Sequence, residues 1–155
     1  MPANIRDYFS EFPSAEITSQ DGQSRLKFCT YGYEFPAMQS GSDADWHRNF
    51  FHLVIPAIRV EINEVILTGH GLAHFLDELK ALSTQRKQEI DFGPLEAYFR
   101  LALSFTPMKK IAVKGWVQYP VGYGAKLEFE FVTDLTYVDQ FISGIEAILV
   151  KFPPR

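Results

Sequence analysis

Hydrophobic and polar residues alternate along three segments in the second half of the chain. The positions of one face are Leu95, Ala97, Phe99, Leu101 and Leu103, then Ile111, Val113, Gly115 and Val117, then Leu127, Phe129 and Phe131. This alternation is typical of antiparallel strands with one face on a core and the other in water. Upstream, AEITSQDGQSRLKFCTYGYEF predicts two strands around a turn at Asp21-Gly22. Residues 46–67 predict one long strand, or a hairpin that turns near Glu61–Glu64.

Two other segments have helical spacing. The hydrophobic stripes are Leu72, Phe75, Leu76, Leu79 and Leu82 in the first, and Val138, Phe141, Ile142, Ile145, Ile148 and Leu149 in the second. Thr136-x-x-Asp139 resembles a capping box. STQRKQE predicts a polar connector, and Gly93-Pro94 a break. The order β…α-βββ-α predicts a single α+β domain over residues 1–155, with two helices on one face of a mostly antiparallel sheet and no internal repeat.

The composition is that of an ordinary globular protein. The 155 residues fit one domain, and 14 phenylalanines indicate an aromatic-rich core. The net charge of −4 disfavours nucleic acid as a direct ligand and favours a basic partner. A lone cysteine, Cys29, and the charged start MPANIRDYFSEFPSAE predict a cytoplasmic protein without a signal peptide. The longest hydrophobic stretch, FFHLVIPAIRV, is too short to span a membrane.

No combination of residues predicts an active site. Glu128 and Glu130 would lie ~7 Å apart on one strand face, which suits a glycosidase pair but equally the water-facing side of a strand, and we favour the latter. His70, His74 and Asp77 are spaced so that a helix would put them on one face, where they could share a zinc ion. Two glycines flank His70, however, and suggest that it precedes the helix. We therefore favour a solvated helix face, and predict no enzyme, no cofactor and no metal.

The polar face of the predicted sheet carries residue types that dominate protein interfaces. Tyrosine, tryptophan and arginine offer large rigid contact areas with a polar group. The alternative is an ordinary amphipathic face with a few exposed aromatic side chains. An acidic loop is a second candidate contact, with solvated charge as its alternative. The predicted partner-binding residues are Tyr98, Arg100, Trp116, Glu128 and Glu130 on the sheet, and Asp43 and Asp45 in the loop.

In the C-terminal third, a strand of the form L-x-F-x-F runs into a helix start, and the chain closes on Phe-Pro-x-Arg. These motifs comprise Leu127, Phe129, Phe131, Asp134, Thr136, Tyr137, Phe152, Pro153 and Arg155. Upstream stand DADW at 43–46, LTGHGLAHFLDELKAL and Glu96. Together these residues resemble the WapI-type immunity proteins, a family of small bacterial proteins. The chain departs from the family pattern in the histidines of GHGLAH and at Leu135.

The resemblance implies a non-enzymatic immunity protein that binds and neutralises the toxic domain of a cognate polymorphic toxin. Such toxin domains are often nucleases with basic surfaces, which an acidic partner would suit. The alternative function is a small-ligand-binding or homo-oligomerising module, in which a homodimer would use the same aromatic face. Neither function predicts direct contact with nucleic acid or with a membrane.

Overall fold

The computed structural model describes residues 7–155 as two antiparallel sheets with three α-helices. Sheet A contains, in order, β1 (Ser14–Thr18), β2 (Arg25–Tyr33), β3 (Trp46–Ile55) and β4 (Ile58–Thr68). Sheet B contains β5 (Glu89–Phe92), β6 (Phe99–Phe105), β7 (Ile111–Tyr119) and β8 (Ala125–Thr133). The helices are α1 (Tyr8–Glu11), α2 (Gly69–Ser83) and α3 (Leu135–Lys151). The predicted α+β class with antiparallel strands is confirmed.

The same sequence of elements occurs twice, since each sheet of four strands is followed by one long helix. The strands therefore form two sheets rather than the expected one, and a structural repeat is present where the sequence indicated none. The helices join the two halves: α3 packs against β1 of the other sheet, and α2 contacts both α3 and β5. Each long helix thus packs against elements from the other half of the chain.

Aromatic rings fill the core between the sheets and helices, as the phenylalanine content predicts. Phe51 of β3 stacks on Phe99 of β6 with ring centroids 4.8 Å apart, so the two sheets meet directly. Phe141 of α3 packs edge-on against Phe28 of β2 at 5.8 Å and Phe75 of α2 at 5.9 Å. Both predicted helical stripes face this core: every residue of the α2 stripe is buried, and in α3 only Leu149 is partly exposed.

Two predicted turns have different outcomes. Gly22 lies in the β1–β2 turn with a φ of 75°, a conformation that glycine adopts without strain, so the Asp21-Gly22 turn is confirmed. The turn predicted near Glu61–Glu64 is wrong, because β3 and β4 are joined by Pro56 and Ala57. Proline has no N–H to donate to a strand ladder and presets the first position of a tight turn, so Pro56 was the signal that would have located the hairpin.

The segment before β6 also differs from its prediction. The polar connector ends in β5, an edge strand in which Ile90 and Phe92 face the core. Gly93-Pro94 does interrupt the chain, but the next strand begins at Phe99 rather than Leu95, and Leu95 is 82% exposed. Local alternation extended the predicted strand across residues 95–98, which lie outside β6, although the Tyr98 carbonyl still accepts a hydrogen bond from the Gln118 N–H at 2.8 Å.

The helix starts lie slightly earlier than predicted. The N-cap of α3 is Asp134, whose carboxylate accepts a hydrogen bond from the Tyr137 N–H at 3.2 Å, so the predicted Thr136-x-x-Asp139 box is wrong. His70 lies inside the first turn of α2 rather than before it. Its backbone N–H is therefore one of the unpaired donors of a helix N-terminus, which need an external acceptor.

A buried polar network joins β2 and β3. His47 Nδ1 lies 3.1 Å from the Thr30 hydroxyl, and the Asn49 amide donates to the same hydroxyl at 3.0 Å. His47 is fully buried, and its Nε2 has no hydrogen-bond partner among the described residues. Burial, only partly opposed by nearby Asp45, lowers the pKa of His47 to about 4.

We expect His47 to make folding sensitive to mild acid. Between its unfolded pKa of 6.5 and its folded pKa of about 4, the unfolded state binds more protons, so stability falls as the pH falls. At 1.36 kcal/mol per pKa unit, the loss across this window is roughly 2–3 kcal/mol. Urea unfolding of His47→Leu at pH 7 and pH 4.5 should show a weaker pH dependence than the parent. His74→Leu, at an exposed site on α2, is the matched control, and equal pH dependence in both variants would contradict the prediction.

Candidate protein-binding surfaces

Four of the predicted partner-binding residues share the outer face of sheet B. Arg100 of β6, Trp116 of β7 and Glu128 of β8 lie directly opposite one another in a cross-strand row. Glu130 lies in the next row, opposite Lys114. The alternation of β8 is as predicted, with Glu128 and Glu130 exposed and Phe129 and Phe131 buried. These side chains line an open groove of about 530 Å³, referred to below as the sheet B groove.

Most charges of the sheet B groove are paired within it. Arg100 Nη2 lies 2.9 Å from Asp91 Oδ2, and Lys114 Nζ lies 3.9 Å from Glu130 Oε1. The ammonium group of Lys126 lies 4.2 Å from the centroid of the Trp116 ring. Among the charged side chains of residues 7–155 that line the groove, only Glu128 has no hydrogen-bond or ion-pair partner. The groove thus offers a tryptophan surrounded by charges that nearly cancel.

The corresponding face of sheet A is covered by the chain's own N-terminal segment. Tyr8 of α1 stacks on Phe50 of β3 with centroids 5.1 Å apart, and Phe9 contacts the same ring at 5.3 Å. Within residues 7–155, no helix covers the sheet B groove in this way. Trp116 on the third strand of sheet B thus has no helix over it, whereas Phe50 on the third strand of sheet A is covered by α1, although both side chains are half-buried.

Tyr98 does not join Arg100 and Trp116, although strand alternation placed it with them. It precedes the first residue of β6 and lines a separate groove at the end of sheet A, referred to below as the acidic groove. The lining residues of the acidic groove are Glu34, Phe35, Asp43, Trp46, Glu64, Val65, Glu96 and Tyr98. Of these eight residues, the sequence predicted only Asp43 and Tyr98 as partner contacts. The adjacency of acidic and aromatic residues in DADW was the available signal.

Negative charge dominates the acidic groove. Glu34 is paired with Arg48 at 2.9 Å, and Glu64 accepts a hydrogen bond from the Tyr119 hydroxyl at 2.8 Å. No hydrogen bond or ion pair from a described side chain reaches the carboxylates of Asp43 or Glu96. Burial and the negative charge of Glu64 raise the pKa of Tyr98. The groove therefore has carboxylates in excess of cations.

Asp45 is structural and corrects the expectation that it forms part of an exposed contact. It is buried, and Oδ2 accepts hydrogen bonds from the His70 N–H at 2.8 Å and from His70 Nδ1 at 2.7 Å. Oδ1 accepts the Arg155 N–H at 3.0 Å. Burial disfavours the charge, but these bonds outweigh it and lower the pKa of Asp45. Asp45 thus ties the first turn of α2 to the C-terminal segment.

Arg155 holds the loop that forms one wall of the acidic groove. Its Nη1 donates to the carbonyl oxygens of Met38 at 2.5 Å and Pro36 at 3.3 Å. The guanidinium group lies 3.6 Å from the centroid of the Tyr33 ring. Because these contacts fix a loop that has no strand partner of its own, the wall of the groove is ordered before any partner arrives.

The remaining candidates for chemistry are His70, with its candidate metal-ligating partners, and Cys29. His70 is bonded to Asp45, and no group of three metal-ligating side chains occurs in the part of the chain that the structure describes. Cys29 is buried, and burial raises its pKa to about 11, which keeps the thiol protonated. What the two grooves offer is contact surface and charge.

Comparison with known proteins identifies the family. The model of the Immunity protein WapI-like family matches residues 16–153, which include α2, α3 and both sheets except the first two residues of β1. The chain belongs to this family. The resemblance seen in the sequence is thereby confirmed. No curated protein matches the chain.

The fold of this member of the WapI-like family has a counterpart of known structure. It is similar to a chain in "Crystal structures of trypanosoma bruciei MRP1/MRP2", with a TM-score of 0.52 and 10% sequence identity. The alignment covers 94% of this chain and 90% of that chain. At this identity the likeness concerns the fold alone. Between residues 7 and 155, the helices of this WapI-like protein lack the length and hydrophobicity needed to span a membrane.

Proposed function

We propose that the protein is a non-enzymatic immunity protein that binds the toxic domain of a cognate polymorphic toxin and neutralises it. The observation that carries this proposal is the match to the WapI-like immunity family over residues 16–153. The partner is a protein with a basic surface, such as a nuclease domain, in keeping with the net charge of −4. Protection from a nuclease would be needed in the cytoplasm.

The sheet B groove is the proposed main contact. Trp116 lies at its centre with Arg100 and Glu128 on either side, and tryptophan and arginine are the residues most enriched in binding hot spots. The chain's own α1 supports this assignment, because it covers the corresponding face of sheet A with aromatic side chains. A toxin segment with one or two aromatic residues would cover sheet B in the same manner.

The proposal predicts that the gene for the cognate toxin domain lies beside this one, and it is tested with that domain. Co-expression should restore the growth of cells that produce the toxin domain, and the purified proteins should form a stoichiometric complex. Trp116→Ala should weaken binding by about 2 kcal/mol, measured by calorimetry. Val150→Ala, which truncates an 85% exposed side chain on α3, should leave the affinity unchanged.

The two outcomes against this proposal are separable. Absence of protection and of a complex would refute the immunity function. Protection with unchanged affinity of Trp116→Ala would exclude the sheet B groove as the main contact. The mass of the free protein in solution is measured alongside, because a homodimer that dissociates in Trp116→Ala would assign this groove to a second copy of the chain.

A further inference from the structure

The acidic groove combines exposed aromatic surface with uncompensated negative charge. Phe35, Trp46 and Tyr98 contribute its aromatic walls, and Phe35 is 45% exposed. Val65 of β4 is the aliphatic residue among them. The groove is distinct from the sheet B groove, with which it shares no lining residue. The acidic groove is therefore a second candidate contact surface, separate from the one proposed on sheet B.

Charge complementarity identifies the chemistry of its occupant. Four carboxylates line the acidic groove, and Arg48 is the one described cation that pairs with any of them. Within residues 7–155, no set of three such ligands is arranged to hold a metal ion. Carboxylates spread around aromatic rings suit an organic cation, which gains from the ring faces and from the charge together.

Elsewhere in the chain, half-buried aromatic rings already hold cations. Arg155 lies over Tyr33 at 3.6 Å, and Lys126 over Trp116 at 4.2 Å. In the acidic groove, by contrast, no cation of residues 7–155 lies over the rings of Phe35 or Trp46. The rings of this groove are therefore available to a cation from another molecule.

We propose that the acidic groove binds an arginine side chain presented by the protein partner, an inference that rests on the proposed immunity function. The planar guanidinium group stacks on an aromatic face while its N–H groups donate to carboxylates, a combination that lysine does not provide. Asp43 and Glu96 are the carboxylates available to it, because neither is paired within the described chain. Arg155 keeps the loop wall in place, so little ordering is needed on binding.

The two tryptophans give each groove its own reporter. Trp46 lines the acidic groove and Trp116 the sheet B groove, and the chain has 2 tryptophans. In a ¹⁵N-labelled sample their two indole N–H signals are assigned with Trp46→Phe and Trp116→Phe. The whole protein is titrated with an acetylated, amidated peptide of arginine and glycine. A peptide with citrulline in place of arginine serves as the uncharged control.

The expected result is a saturable shift of the Trp46 indole signal with the arginine peptide and a much smaller shift with the citrulline peptide. Asp43→Asn combined with Glu96→Gln should weaken this binding about tenfold or more. Glu128→Gln combined with Glu130→Gln removes the same amount of charge from the other groove and should change it by less than about threefold. An unmoved Trp46 signal, or equal weakening by both double variants, would overturn the proposal.

The peptide titration needs no toxin, so its result is independent of the immunity function. If the peptide binds but the protein gives no protection from the toxin, the groove is a site for arginine and the toxin is not its partner. Protection without any response at Trp46 would retain the immunity function and refute the arginine site.

Discussion

Gly144→Val is expected to destabilise the protein by about 3 kcal/mol, because α3 lies too close to β1 to accommodate a side chain there. A Cβ at Gly144 would lie 2.5 Å from the Ser14 carbonyl oxygen and 2.6 Å from the Ala15 Cα. Both are backbone atoms of β1, so relief requires the helix to move away from the sheet. The measurement is the free energy of unfolding in urea.

Helix propensity alone predicts the opposite sign for this substitution, since valine is a better helix former than glycine by a few tenths of a kcal/mol. Ser143→Val is the matched control, because it introduces the same residue one position earlier on the exposed side of α3. It should change stability by about 0.5 kcal/mol or less. Similar effects of the two substitutions would show that the contact between α3 and β1 is looser than the structure has it.

Asp45→Ala is expected to cost about 4 kcal/mol, the largest effect of any polar substitution considered. It removes the acceptor of three hydrogen bonds, two from His70 and one from the Arg155 backbone. Hydrogen bonds to a charged group contribute about 1.5 kcal/mol or more each, and donors left without a partner add to the loss. Asp45→Asn should fall between the parent and the alanine variant, since it keeps one acceptor oxygen without the charge.

Asp43→Ala provides the comparison for Asp45, as both carboxylates belong to the short helical turn of residues 42–45 and only Asp43 is exposed. Its effect on unfolding should be about 0.5 kcal/mol or less. Unfolding free energies that rank the two variants in the reverse order would refute the structural role of Asp45. They would return it to the set of partner contacts that the sequence suggested.

The sequence predicted those features that depend on neighbouring residues in one strand or helix. The period of two along β6, β7 and β8 placed Arg100, Trp116, Glu128 and Glu130 on one face, because successive side chains of a strand point to opposite sides. The stripes of α2 and α3 were predicted for the corresponding reason. Nothing beyond local chain geometry was required.

Features that depend on distant residues were not predicted. The donors to Asp45 are 25 and 110 residues away in sequence, so its burial leaves no local signal. Tyr98 keeps the parity of Arg100 but lies before the first residue of β6, and strand alternation is no guide beyond a strand's end. The division into two sheets has the same origin, since strand pairing is decided by contacts that periodicity does not encode.

The packing of α3 on β1 has a consequence for synthesis on the ribosome. Sheet A emerges first, but the surface around Phe28 is covered by Phe141, which is translated more than a hundred residues later. A nascent chain that carries sheet A alone exposes this hydrophobic surface until α3 leaves the exit tunnel. We therefore expect the protein to reach its native state only after translation. Until then, chaperones or other incomplete chains can bind the exposed hydrophobic surface of sheet A.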